Sequence, residues 1–166
     1  MTTKSPEEII AAIKASIDKG IAEHGVHIMH VFDGDNSPAF SYTIGLTTYG
    51  LPELIVFGLP VQHAHPILHA LAQTGRLDPE NINPGILPKG IMNIDTLLIV
   101  ADDEKAAEWG VQAYHYFEPE YAVSFRQIVL PDEKNLYPWQ EGYNDNFIQP
   151  ILGEPVEPLP QHRTLN

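Results

Sequence analysis

Residues 40–60 read FSYTIGLTTYGLPELIVFGLP, and the fold depends on how this stretch is parsed. Phe40, Tyr42 and Ile44 alternate with Ser41, Thr43 and Gly45. Alternation with period two, in aromatic and β-branched residues, predicts a strand with one buried face. Leu54 to Phe57 (LIVF) is a short apolar run bounded by Pro52 and Gly58. It is too short for a stable helix and reads as a strand covered on both faces. Between the two, Gly50 accepts positive φ and Pro52 keeps Leu51 extended. The pair therefore reads as an antiparallel hairpin. Glu53 is a lone carboxylate at the mouth of the second strand. It is either solvated there or buried with hydrogen-bond partners, since a buried charge needs them.

Working outward, Ser5-Pro6-Glu7-Glu8 is a helix start, with a cap, a first-turn proline and a capping-box glutamate. Ile9, Ile13, Ile17 and Ile21, with Ile10, share one face, and Gly25 marks the stop. Val26 to Phe32 predicts a strand with Val26, Ile28, His30 and Phe32 on one side and His27, Met29 and Val31 on the other. The turn signal Asp33-Gly34-Asp35-Asn36-Ser37-Pro38 leads back into Phe40. After Pro60 a helical face of Ile67, Leu68, Leu71 and Ala72 precedes Gly75. Pro66 in a helix interior costs about 3 kcal/mol, which places it in the first turn, with His63 and His65 at or before the N-terminus. Residues 76–90 read as a long loop. Ile94 to Val100 is a strand, 102–116 a helix, and Tyr121 to Leu130 a strand. The order predicts one α+β domain over residues 1–153: a mostly antiparallel sheet of about five strands with about three helices packed on it. Residues 154–166 are expected to fray as a flexible tail.

Composition narrows the function. A chain of 166 residues suggests one domain that buries roughly 70% of its unfolded surface. There are no cysteines, which rules out disulfides and thiolate chemistry. A formal net charge of −13 disfavours nucleic acid as a partner and favours a small molecule or a basic protein. The N-terminus lacks a signal-peptide layout and no run approaches a membrane span, so a cytoplasmic protein with no membrane partner is expected.

The densest chemistry-bearing group is His63, His65 and His69. An extended lead-in points His63 and His65 to one side, whereas a helix starting one turn earlier makes His65 and His69 i,i+4 neighbours. Such histidines are solvated or capping, or they hold zinc or another divalent metal, or they act as a base. No glutamate lies between them as in the zinc-protease motif. No cofactor is otherwise implied. His24 suits the C-terminal end of the first helix, and His27 and His30 face opposite sides of their strand. Arg126, inside an apolar strand, needs an acceptor: Glu53, a ligand anion, or the solvent it snorkels towards. Tyr42, Tyr137, Trp139 and Tyr143 line a pocket or serve as core.

Several motifs now stand in order: His24-Gly25, Phe40-Ser41-Tyr42-Thr43-Ile44-Gly45-Leu46, Pro52-Glu53-Leu54, Gly58-Leu59-Pro60, Tyr137-Pro138-Trp139 and Gln149-Pro150-Ile151-Leu152-Gly153. Together they resemble a bacterial family, domain of unknown function 4262 (DUF4262), over residues 7–153. The resemblance implies a single-domain cytosolic protein of bacteria or phage and supplies no catalytic residue. Tyr42, Thr43, Glu53, Trp139 and Gln149 fall inside the shared motifs, so the resemblance favours them over the histidines as a shared site. Three readings follow. The first is a small-ligand-binding domain, enzymatic or not, whose pocket lies between the Tyr42–Glu53 hairpin, the helix after Pro60 and the Trp139–Gln149 tail, with Thr43 and Arg126 contributing. The second is an acidic interaction protein, an inhibitor or immunity factor. The third is a metal-dependent hydrolase built on His63, His65 and His69.

Overall fold

A computed structural model of the chain describes residues 3–87 and 94–155. The frayed tail expected at 154–166 lies outside the described residues from 156 onward, as does 88–90 of the expected loop. The elements are α1 (Pro6–His24), β1 (His27–Val31), β2 (Phe40–Ile44), β3 (Glu53–Phe57), α2 (Val61–Leu77), β4 (Gly85–Ile86), β5 (Leu97–Val100), α3 (Asp103–Trp109), α4 (Val111–Phe117) and β6 (Phe125–Val129). The architecture is α+β: the described residues form four helices on a six-stranded sheet ordered β1-β2-β3-β6-β5-β4. Every neighbouring pair is antiparallel except β3 and β6, which run parallel. Among the described residues no helix is long and apolar enough to cross a membrane.

Local rules explain most boundaries. Ser5 Oγ accepts from the Glu8 amide at 3.2 Å, and Gly25 closes α1 at φ 85°. The β2–β3 hairpin forms as its alternation predicts, with Tyr42 opposite Ile55. All five residues of β3 are buried, because helices and tail cover both faces. Leu54 and Val56 pack towards α2 with Ile28, Leu68 and Leu71. Ile55 and Phe57 pack the other way, with Ile17 of α1 and Ala113 and Phe117 of α4. Ile9 and Ile10, in the first turns of α1, stay exposed.

Four expectations are corrected. The helix expected over 102–116 is two helices meeting at Gly110, where the Phe125 ring occupies the space a Cβ would need. The sixth strand is the short β4, which lies in what reads as loop. The strands expected from Ile94 and Tyr121 begin later, at Leu97 and Phe125. Pro66 is not in the first turn: α2 starts at Val61, so Pro66 is its sixth residue. Its missing amide costs the helix one bond near an end whose apolar face, Ala64, Leu68, Leu71 and Ala72, is buried.

The tail returns to the sheet, but onto β5 and β6. Tyr137, Trp139 and Ile151 cover Leu97, Ile99 and Val129. Gln127 fixes it: its Nε2 donates to the Pro150 carbonyl at 2.6 Å, and its Oε1 accepts from the Leu152 amide at 2.8 Å.

Candidate functional site

Glu53 is fully buried, and its carboxylate is the anchor of the β2–β3 connection. It accepts from the Thr43 and Thr47 hydroxyls at 2.7 and 2.6 Å, and from the amides of Gly45, Leu46 and Thr47 at 3.1, 3.2 and 2.8 Å. Burial pushes its pKa above the ordinary carboxylate value, against the pull of the Thr47 and Thr43 hydroxyls and the Thr47 and Gly45 amides. Thr43 is a relay in the same network, since its Oγ1 also accepts from the Leu54 amide at 2.9 Å. Both oxygens of Glu53 are thus engaged by the protein itself. Tyr42, next to Thr43, points to the opposite face of the sheet, among Phe40 and Phe125. Its hydroxyl accepts from the Gln112 amide at 3.1 Å, and burial pushes its pKa to about 12.

The other motif residues lie elsewhere. Gln149 grips the chain after β6: its Oε1 accepts from the Leu130 amide at 2.9 Å and its Nε2 donates to the Leu130 carbonyl at 2.7 Å. Glu53 pairs with Phe125, so Gln149 sits about 16 Å further along β6. Trp139 stacks on Tyr137 with ring centroids 5.6 Å apart, and its buried indole N–H has no partner among the described residues. Arg126 donates to the Ile82 carbonyl. The structure therefore joins Thr43 with Glu53 but does not bring Tyr42, Arg126, Trp139 and Gln149 to them.

What the fold does assemble is a row of imidazoles along α2. His30 and Ser41 are cross-strand partners in the β1–β2 register. His30 Nδ1 lies 2.7 Å from Ser41 Oγ, and His30 Nε2 lies 3.0 Å from His65 Nδ1. The His65 and His69 rings meet edge to face at 4.6 Å, and His69 meets His24, at the end of α1, at 5.5 Å. His65 and His69 are neighbours because α2 begins at Val61 and carries them one turn apart. The same early start puts His63 about 200° around the helix from His65, so the expected trio does not converge. Burial, and then the neighbouring His65, lowers the pKa of His30, His69 and His27.

A cavity opens at each end of this row. One, of about 540 Å³, is lined by His24, His69, Tyr49 and Arg76. Arg76 stacks over the Tyr49 ring at 4.5 Å and occupies the space a side chain on Gly25 would fill. The guanidinium thus lies by the C-terminal end of α1, whose dipole favours a cation. The other cavity, of about 370 Å³, is lined by His30, Ser41, Phe40 and the start of α2.

Zinc or another divalent ion at His63, His65 and His69 does not fit this donor set. Among the described residues no group of three or more histidine, cysteine or acidic side chains converges as metal ligands. The His30–Ser41 contact was not foreseen, although a signal for it existed. A turn centred between Asp35 and Asn36, as the Gly34–Ser37 bridge places it, pairs residues whose numbers sum to 71. Arg76 on Tyr49 had no comparable signal.

Among known proteins, a family described as "Domain of unknown function (DUF4262)" matches residues 20–144. The match takes in the last turn of α1, all of β1 to β6 with the helices between them, and the Trp139 segment, and stops before Gln149. No curated protein and no solved structure matches the chain.

Proposed function

The chain belongs to the DUF4262 family, and from that premise we propose that it is a small-ligand-binding domain whose ligand is anionic and sits in the groove between α1 and α2. The observation that carries this is the composition of the groove. In a chain of net charge −13, it gathers Arg76, His69 and His24 around a space of about 540 Å³. That volume suits a metabolite-sized molecule. Arg76 forms no ion pair among the described residues and is held flat by Tyr49. A preoriented guanidinium offers paired donors to a carboxylate or phosphate. Two imidazoles beside it add charge when protonated.

The pH dependence follows. Burial, and then the neighbouring His65, holds His69 below the usual histidine value, so it is neutral near pH 7 and gains its charge only as the pH falls below that value. An anion should bind more tightly as pH falls from 7.5 to 5.5. Calorimetric titration with inorganic sulfate, whose charge is constant over this range, tests this. The expected result is saturable binding, stronger at low pH and lost in Arg76→Gln. Equal heats for the native chain and Arg76→Gln at every pH would contradict it.

A further inference from the structure

We propose that Ser41, His30 and His65 act as nucleophile, base and orienting group for acyl transfer from a small apolar ester, in the cleft beside the first turn of α2. Three segments of the chain are needed to build this arrangement. β2 supplies Ser41, β1 supplies His30 directly across from it, and α2 lays His65 over the far side of the His30 ring. The contacts are 2.7 Å from nucleophile to base and 3.0 Å from base to orienting group. Both fall within the range expected of an activated serine, whose base is held by a third residue. A serine that only satisfied a strand histidine would need neither a third group in line nor a cavity. Here Ser41 and His30 both border the space of about 370 Å³, with Phe32, Phe40, Pro60 and Val61 as its apolar lining.

The protons can be followed. With its own proton on Nε2, His65 accepts from His30 Nε2–H at Nδ1. That leaves the lone pair of His30 Nδ1 facing the Ser41 hydroxyl. Ser41 Oγ attacks the ester carbonyl carbon, its proton passes to His30 Nδ1, and the carbonyl electrons move onto oxygen. Collapse re-forms the carbonyl and breaks the bond to the alcohol oxygen, which takes the proton back from His30. Water then attacks the acyl group on Ser41 while His30 takes its proton. Return of that proton to Ser41 Oγ releases the carboxylic acid. Val61 and Gln62, at the start of α2, which has no side-chain cap, line the same cleft, and their backbone amides are the donors assigned to the oxyanion.

The titratable groups that act on His30 are His65 and His69 from α2 and, from the other side of its own strand, His27, and Asp33 borders the cleft. Burial, and then the neighbouring imidazoles, lowers the pKa of His30 from the ordinary histidine value.

The test uses the full chain with a fluorophosphonate probe and with p-nitrophenyl butyrate. A single adduct is expected on Ser41, together with ester hydrolysis whose acid limb falls below pH 6.5. Ser41→Ala should lower kcat by about 10²-fold. His65→Ala should lower kcat with KM held and move the acid limb upward, and His65→Gln, whose amide oxygen still accepts, should recover part of the loss. Absence of an adduct on Ser41 in the native chain overturns the proposal and depends on no variant folding. So does a folded Ser41→Ala protein that hydrolyses at the native rate. Arg76→Gln is expected to label like the native chain, so this proposal and the anion groove fail separately.

Discussion

Glu53 is buried at the centre of a cage of hydrogen bonds from the β2–β3 connection. Five donors converge on it, and three are backbone amides that have no other role than to donate. They fix the turn at Leu46–Tyr49, and with it Tyr49, on which Arg76 rests. Glu53→Gln keeps the size but sets an NH₂ group against these donors. Buried donors left unmatched cost about 1–3 kcal/mol, and more when the lost partner was charged. We therefore expect Glu53→Gln to lower unfolding stability by about 3 kcal/mol, read from the urea midpoint at constant slope. A change under about 0.5 kcal/mol would mean that the carboxylate is not the anchor. At this scale the sequence was partly legible. A lone acid before an apolar run signals either solvent or a cage, and only coordinates distinguish the two. Arg126 was legible as needing an acceptor, but the acceptor is a carbonyl contributed by a segment read as loop.

At the scale of elements, α2 decides where the chemistry lies. Pro66 argues locally for a late start, and it loses to the buried stripe of Ala64, Leu68, Leu71 and Ala72, which extends the helix back to Val61. One extra turn changes the histidine pattern altogether: His63 leaves the group and His30 enters it. The strand pattern put His30 on one face with Val26 and Ile28, and the structure turns that face towards α2, so half of the contact could be read from periodicity. The other half needed the hairpin register. Packing these rings together has a consequence for stability. His27, His30 and His69 titrate below the unfolded value of about 6.5. Between their lowered values and 6.5 the folded chain binds fewer protons than the unfolded one. Their contribution is therefore complete above pH 6.5 and is lost as pH falls through the folded values. Glu53 has the opposite sign, so the comparison is made against a variant. The urea midpoint of the native chain should fall more steeply from pH 7.5 to 5 than that of His30→Gln. Parallel slopes would contradict the packing of these rings.

At the scale of the whole molecule, the sheet order places the parallel β3–β6 pair at the centre, flanked by antiparallel neighbours. The α+β class and the central hairpin were visible in alternation and turn residues because those are local signals. The parallel pairing was not, because it joins segments some seventy residues apart through contacts with no sequence period. The tail's destination was invisible for the same reason: Gln127 and Gln149 anchor it by backbone hydrogen bonds that any amide side chain can make. The same long-range assembly brings β1, β2 and α2 together at Ser41, His30 and His65, and the acyl-transfer proposal depends on it. Nitrogen-15 NMR of the histidine rings across a pH titration tests that assembly most directly. The account predicts that His30 and His65 share one ring hydrogen bond, with a single tautomer each and with His30 titrating below pH 6.5. Mixed tautomers at both rings, titrating independently near pH 6.5, would contradict it.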